Sequence, residues 1–143
     1  METNELVTLG MQMKKLIEKK CAPMIEKYDL RPVELDILVF LKQSEKADTA
    51  KDIMHSRHIS KAHISKSIEN LRTRGYVQVY EDGQDHRIVH ISLTEKAKDA
   101  VSGIQEVYQS CRRVMMQNVT LEEIEVLQRV IGKMQESISK ELE

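Results

Sequence analysis

Residues 49–93 run T49-A-K-D-I-M-H-S-R-H-I-S60-K-A-H-I-S-K-S-I-E-N-L-R-T-R-G75-Y-V-Q-V-Y-E-D82-G-Q-D-H-R87-I-V-H-I-S-L93. Thr49 begins a short helix, with Asp52 three residues on at the reciprocal capping position, and Ile53 and Met54 are its apolar residues. Ser60 has the chemistry of a second N-cap. At 100° per residue, Ile64, Ile68 and Leu71 then share one face, while Ala62, Ser65, Lys66, Glu69 and Thr73 share the other. Gly75 suits the left-handed position that stops a helix. Beyond it Val77 and Val79, then Val89, Ile91 and Leu93, alternate with polar residues as strands do. Asp82-Gly83 supplies turn chemistry between them, and the connection through Arg87 is longer than a tight hairpin needs.

Helix, helix, strand, projecting loop, strand is the order of a winged helix-turn-helix, and the flanking sequence supports it on both sides. Leu30-Arg31-Pro32 opens an earlier helix, because a proline at the first helical position loses no hydrogen bond, and Leu35, Leu38, Val39 and Leu41 give it a buried face. Residues 44–48 form a charged loop. Before that, Leu6, Leu9, Met13, Leu16 and Ile17 step by threes and fours, predicting an amphipathic helix to about Cys21 that Pro23 ends or bends. After the wing, Thr94 is expected to cap a long helix with Glu95 in its first turn and a stripe of Ala97, Val101, Ile104, Tyr108, Cys111 and Met115, ending near Asn118. Thr120 and Glu123 make another capping box, and Ile124, Leu127, Ile131, Met134 and Ile138 follow as a coiled-coil-like seam. The apolar stripes of the terminal helices, Leu6, Leu9 and Met13 at one end and that seam at the other, have no partner close in sequence. They are read as dimerisation elements.

The expected fold class is therefore mainly α with a small β wing: one domain over residues 1–143, a DNA-binding lobe at 30–93, and a helical dimerisation region at 1–22 and 94–143. Its 143 residues suit one core, and only 5 glycines and 2 prolines leave little room for linkers. No apolar run approaches the ~20 residues of a membrane span, and residues 1–20 carry charges where a signal peptide is apolar. A cytoplasmic protein is expected, with no membrane partner. Cys21 and Cys111 are far apart and form no C-x-x-C pair, so no disulfide framework or zinc ribbon is indicated. There is no G-x-S-x-G, Walker loop, H-E-x-x-H or dinucleotide fingerprint, so neither an enzyme nor a cofactor is expected.

A net charge of −1 gives the whole chain no general attraction for nucleic acid. The distribution differs. Between His55 and His90 stand Arg57, Lys61, Lys66, Arg72, Arg74 and Arg87 against Glu69, Glu81, Asp82 and Asp85, together with all five histidines, and Arg57, Arg72 and Arg74 are expected with the two lysines and Arg87 to contact DNA. The major groove of B-DNA admits one α-helix, and the open face of the helix after Ser60 fits it. Ala62 and Ser65 allow close approach, Ser65 and Lys66 offer hydrogen bonds, and Ser60 and Lys61 sit where helix N–H groups favour phosphate. His63 lies at the edge of that face. The plain alternative is a solvated helix surface.

Three stretches make the chain resemble the MarR family of bacterial transcriptional regulators: Ile64-Ser65-Lys66-Ser67-Ile68-Glu69-Asn70-Leu71-Arg72-Thr73-Arg74-Gly75-Tyr76-Val77, the wing Asp82-Gly83-Gln84-Asp85-His86-Arg87, and Leu93-Thr94-Glu95-Lys96-Ala97. The family's wing reads D-x-R-D-x-R, and here Gln84 stands at the first arginine. The resemblance implies a wing tip in the minor groove, whose negative potential attracts Arg. Asp85 would brace the wing and Arg87 would contact backbone or hold the loop, leaving the entrant open among Gln84, His86 and Arg87. It also implies a homodimer through the first, fifth and sixth helices, binding of a pseudo-palindromic operator in double-stranded DNA, and a bacterial or archaeal, nucleoid-associated regulator. Repression is the expected sign, released by a small-molecule effector or a redox signal.

Two rival readings attach to particular residues. His55-x-x-His58 and His86-x-x-x-His90 have ligand-like spacing, which would make a metal-responsive regulator, although no Cys or paired carboxylate completes a site and no metal is expected. Cys21 is a candidate redox residue with Tyr28 seven positions on, against a buried structural thiol. A third reading is a helical protein-interaction module that binds no DNA.

Overall fold

The computed structural model describes residues 2–44 and 48–143. Its elements are α1 (Thr3–Tyr28), α2 (Pro32–Gln43), α3 (Ala50–Arg57), α4 (Lys61–Thr73), β1 (Val77–Glu81), β2 (Val89–Leu93), α5 (Ala97–Met115) and α6 (Leu121–Leu142). They fall into two compact units, Met1–Gln109 and Ser110–Glu143, divided within α5. Of the loop expected at 44–48, residues 45–47 lie outside the described residues.

The core of the first unit is built on α2, where Leu35, Ile37, Leu38, Val39, Phe40 and Leu41 are all buried. This helix is enclosed on nearly every side, where the sequence suggested a single face. Ile53, Ile64, Ile68 and Leu71 join the cluster from α3 and α4, Val77 and Ile91 from the wing, and Ala97, Ala100, Val101 and Ile104 from α5. Burial of each large aliphatic side chain is worth about 1.5–3 kcal/mol, so the two helices before the wing are fixed mainly by what lies beneath them.

The first helix departs from expectation. It does not stop near Cys21 but continues through Pro23 to Tyr28. An interior proline costs about 3 kcal/mol in a helix, and the turn that follows it offsets that cost by packing Met24, Ile25 and Tyr28 against the core. The helix ends where Asp29 takes a left-handed φ of 50°. Its N–H and that of Leu30 then donate to the carbonyls of Glu26 and Ile25, closing the orphan acceptors of the last turn.

Local signals around α3 and α4 are realised. Thr49 Oγ1 accepts from the Asp52 N–H at 3.2 Å while Asp52 Oδ2 accepts from the Thr49 N–H at 3.0 Å, and Ser60 Oγ accepts from the His63 N–H at 3.3 Å. Gly75 has φ 78°. The Gly75 and Tyr76 N–H groups return to the carbonyls of Arg72 and Leu71, which turns the chain sharply into β1. Strands β1 and β2 pair antiparallel, Val77 opposite Leu93 and Val79 opposite Ile91, so one face of the hairpin meets the core.

Thr94 does not cap α5, as its residue type suggested, because the helix begins only at Ala97. The Thr94 hydroxyl donates instead to the carbonyls of Gly75 at 2.6 Å and Tyr76 at 3.1 Å, tying the exit of β2 to the entry of β1.

In the second unit the capping box at Thr120 and Glu123 is formed. Along α6 the seam residues Leu127, Ile131 and Ile138 are 40%, 43% and 54% exposed, with Ile124 and Met134 half-buried. In α1, Leu9 is exposed, and Leu6 and Met13 are half-buried. No helix among the described residues is long and apolar enough to cross a membrane.

Candidate nucleic-acid interface

The outward face of α4 follows from its inward one. With Ile64, Ser67, Ile68 and Leu71 buried, helical periodicity turns Lys61, Ala62, His63, Ser65 and Lys66 to solvent, and Ser60 is exposed at the N-cap. None of these exposed side chains is held in a side-chain ion pair within the described residues, apart from the Ser60 cap bond. The first two turns thus combine the positive end of the helix dipole, two lysines and small side chains, a surface suited to an anionic, grooved partner.

Three arginines expected at this face have other work. Arg72 makes a two-pronged pair with Glu69, at 3.0 and 2.6 Å, on the helix surface, and this pairing holds the Glu69 carboxyl below its ordinary range. Arg74 donates to the carbonyls of Asp29 and Tyr28 at the end of α1 and lies 5.3 Å from the centre of the Tyr76 ring. Arg57 sits 5.8 Å from the Phe40 ring centre, with its Nε enclosed and without a hydrogen-bond partner among the described residues. The fold therefore does not bring Arg57 and Arg74 to the face formed by Ala62, Ser65 and Lys66. Both are spent on packing and on orphan carbonyls, a use that residue type alone does not reveal.

The wing loop is organised by Asp82. Its Oδ2 accepts from the N–H groups of Gln84 at 2.9 Å and Asp85 at 3.0 Å, and the Asp82 N–H donates to the Ile88 carbonyl. Asp85 braces Arg87: Oδ1 accepts from the Arg87 N–H and Nε, and Oδ2 accepts from a terminal nitrogen at 3.1 Å. The Arg87 side chain remains 90% exposed. A bidentate carboxylate partner thus aims the guanidinium from the wing without burying it. Gln84 is exposed near the tip, and His86 Nδ1 lies 3.0 Å from Glu81 Oε2.

Below the tip, His90 stands between two carboxylates, Nδ1 2.6 Å from Asp48 Oδ1 and Nε2 2.7 Å from Asp82 Oδ1. Hydrogen bonds from His90 and from the Asp85 and Gln84 amides hold the Asp82 carboxyl at about 2, and the two carboxylates raise the His90 imidazole above its ordinary range. Nothing in the sequence pairs Asp48 with a residue 42 positions away. Among the described residues, no group of three or more His, Cys, Asp or Glu side chains is placed to hold a metal ion.

A second polar group lies inside the first unit. Asp36 of α2 hydrogen-bonds Tyr108 of α5, and burial raises its carboxyl despite the nearby Arg57 charge. The Tyr108 hydroxyl is pushed up to about 12 by burial and by the charges of Asp36 and Cys21. Cys21 is thus buried beside Tyr108, a neighbour from α5 that the spacing to Tyr28 did not suggest.

Residues 30–97 match the family model described as a winged helix DNA-binding domain. Solved structures match over almost the whole chain. A MarR protein from Peptoclostridium difficile is 20% identical, with 99% of this chain and 91% of that one covered at a TM-score of 0.81. MepR of S. aureus, solved as a DNA complex, is 21% identical, with 96% and 98% covered at 0.74. BpsR of Bordetella bronchiseptica, whose DNA binding is regulated by 6-hydroxynicotinic acid, is 18% identical, with 94% and 93% covered at 0.73. Residues 30–97 thus match a winged helix DNA-binding domain, in a chain that takes the fold of the solved MarR protein.

Proposed function

We propose that the chain is a sequence-specific regulator of transcription that binds double-stranded DNA as a homodimer. The observation that carries this is the pairing of two exposed, basic elements on one scaffold: the Ser60–Lys66 face of α4 and the braced, 90% exposed Arg87 on the wing. Ala62, Ser65 and Lys66 read base edges in the major groove, Ser60, Lys61 and His63 meet phosphate at the helix start, and the wing enters the minor groove. Arg87 is the cation the wing offers there, with Gln84 and His86 beside it. Arg72, at the far end of α4, exchanges Glu69 for phosphate when DNA is bound.

The exposed seam of α6 and the apolar stripe of α1 each serve dimerisation, and the dimer sets two half-sites of a pseudo-palindromic operator about one helical turn apart. The solved complex of MepR with DNA supports the mode of binding, and the control of BpsR by a small molecule supports an effector. Repression is the proposed sign, relieved by a small molecule or by oxidation at Cys21.

DNA-cellulose retention tests the reading. A phosphate-contacting protein elutes with salt, the logarithm of its affinity falling by roughly 0.9 per neutralised phosphate for each decade of salt. A protein-interaction module that ignores DNA passes through.

A further inference from the structure

His90 is a placement that the proposed function does not use. Its two ring nitrogens meet carboxylates from two segments that are remote in sequence: Asp48, just ahead of α3, and Asp82, which organises the wing loop. A neutral imidazole carries one N–H and one lone pair, so it donates to one carboxylate and turns a lone pair toward the other. Only the imidazolium donates to both. Among the described residues, the titratable groups facing the ring are these two carboxylates and Tyr80 of β1, whose ring centre lies 5.2 Å away. The Ile91 N–H also donates to the Asp48 carbonyl, so the same junction is held by main chain.

We propose that His90 is a positioning residue for the wing, whose protonated form clamps Asp82 to Asp48 and whose deprotonation slackens the wing loop and weakens DNA binding. The DNA consequence rests on the function proposed above, while the clamp does not. Asp82 transmits the effect because the carboxylate that holds His90 with Oδ1 holds the Gln84 and Asp85 amides with Oδ2. Asp85 in turn aims Arg87. Proton loss at His90 therefore reaches the exposed guanidinium through one carboxylate and one turn.

The direction follows from linkage. A histidine whose folded-state affinity for its proton exceeds the unfolded one contributes fully below the ordinary value of about 6.5, and loses that contribution as pH rises above it. His90 is raised in this way, by Asp48 first and then Asp82. The clamp is set below the ordinary histidine value and released as pH rises through the raised one. His63 and His86 also lie on the proposed interface, so the pH profile of the wild-type protein alone does not isolate His90.

The test has two arms on the full-length protein. In the first, imidazole and backbone amide resonances are followed by NMR from about pH 6 to about pH 9 without DNA. The expected His90 midpoint lies above 6.5, the Gln84 and Asp85 amides shift with the same midpoint, and Asp48→Asn lowers it. A His90 midpoint at or below 6.5, or wing amides that do not follow it, overturns the clamp. In the second arm, fluorescence anisotropy measures affinity for a duplex recovered by selection from a random-sequence pool. The wild-type affinity is expected to fall by roughly threefold to tenfold across that range, and His90→Gln to bind at low pH as the wild type binds at high pH, with a flattened profile. A His90→Gln profile as steep as the wild type overturns the link to binding. Failure to select any duplex removes the proposed function and leaves the first arm to decide the clamp.

Discussion

Thr94 Oγ1 stands 2.6 Å from the carbonyl oxygen of Gly75, joining the residue that follows β2 to the turn that ends α4. Lys96 reinforces that junction by donating to the Arg74 carbonyl at 2.7 Å while its ammonium lies 4.7 Å from the centre of the Tyr76 ring. Helix α4 and the wing are therefore fixed to one another at their bases. Thr94→Val preserves the shape and removes the donor, and is expected to cost about 1 kcal/mol. Urea unfolding checks it; an unchanged midpoint would show that the junction holds without this bond.

Gly103 of α5 faces Met24 of α1 so closely that a Cβ built on it runs into the methionine methyl, with the sulfur at 3.0 Å. The obstacle is the end of a flexible side chain. Alanine in place of a helical glycine gains about 1 kcal/mol in propensity, and moving Met24 uses it up, so Gly103→Ala alone is expected to be near neutral. In the Met24→Ala background the same change is expected to stabilise by about 1 kcal/mol, a coupling that a double-mutant cycle of unfolding energies reads directly.

Asp82 gives a pH prediction for the wing. Its carboxyl is held at about 2 by His90 and by the Asp85 and Gln84 amides, so its contribution to wing order is complete above the ordinary value near 3.8 and is lost only as pH falls through about 2. Asp82→Asn reproduces that loss at neutral pH. Hydrogen exchange at the Gln84 and Asp85 amides is expected to quicken several-fold in the variant with the helical core unchanged, and equal protection in both proteins contradicts the role given to this carboxylate.

The seam of α6 was legible from three- and four-residue steps alone, because periodicity reports a face whatever covers it. Ile131→Glu places a charge in that seam and is expected to yield a monomer by sedimentation; a dimeric mass contradicts its use as the dimer surface.

The winged helix was legible for a related reason: the Thr49 and Ser60 caps, the Gly75 stop and the alternation of Val77 and Ile91 are local signals, and the structure honours each of them. Where reading failed, distant atoms decided. Pro23 predicts an end or a bend in α1 because its cost is local, whereas the burial of Met24, Ile25 and Tyr28 that carries the helix on to Tyr28 is tertiary. Thr94 has the residue type of a helix cap, yet its hydroxyl donates to two carbonyls eighteen and nineteen residues back. Arg57 and Arg74 counted as interface charge by type, and only the fold shows them over Phe40 and against the end of α1. The bracket of Asp48, His90 and Asp82 spans three segments, and no spacing rule encodes it.

The central claim is that Lys66 on α4 and Arg87 on the wing address DNA together. Gel shifts on a selected duplex and its scrambled counterpart, for the wild type, Lys66→Ala and Arg87→Ala, test it most directly. The wild type is expected to prefer the selected duplex, Lys66→Ala to lose roughly 1–3 kcal/mol of that preference, and Arg87→Ala to weaken both complexes and lower the salt slope by about 0.9. Equal affinity of all three proteins for both duplexes would contradict it.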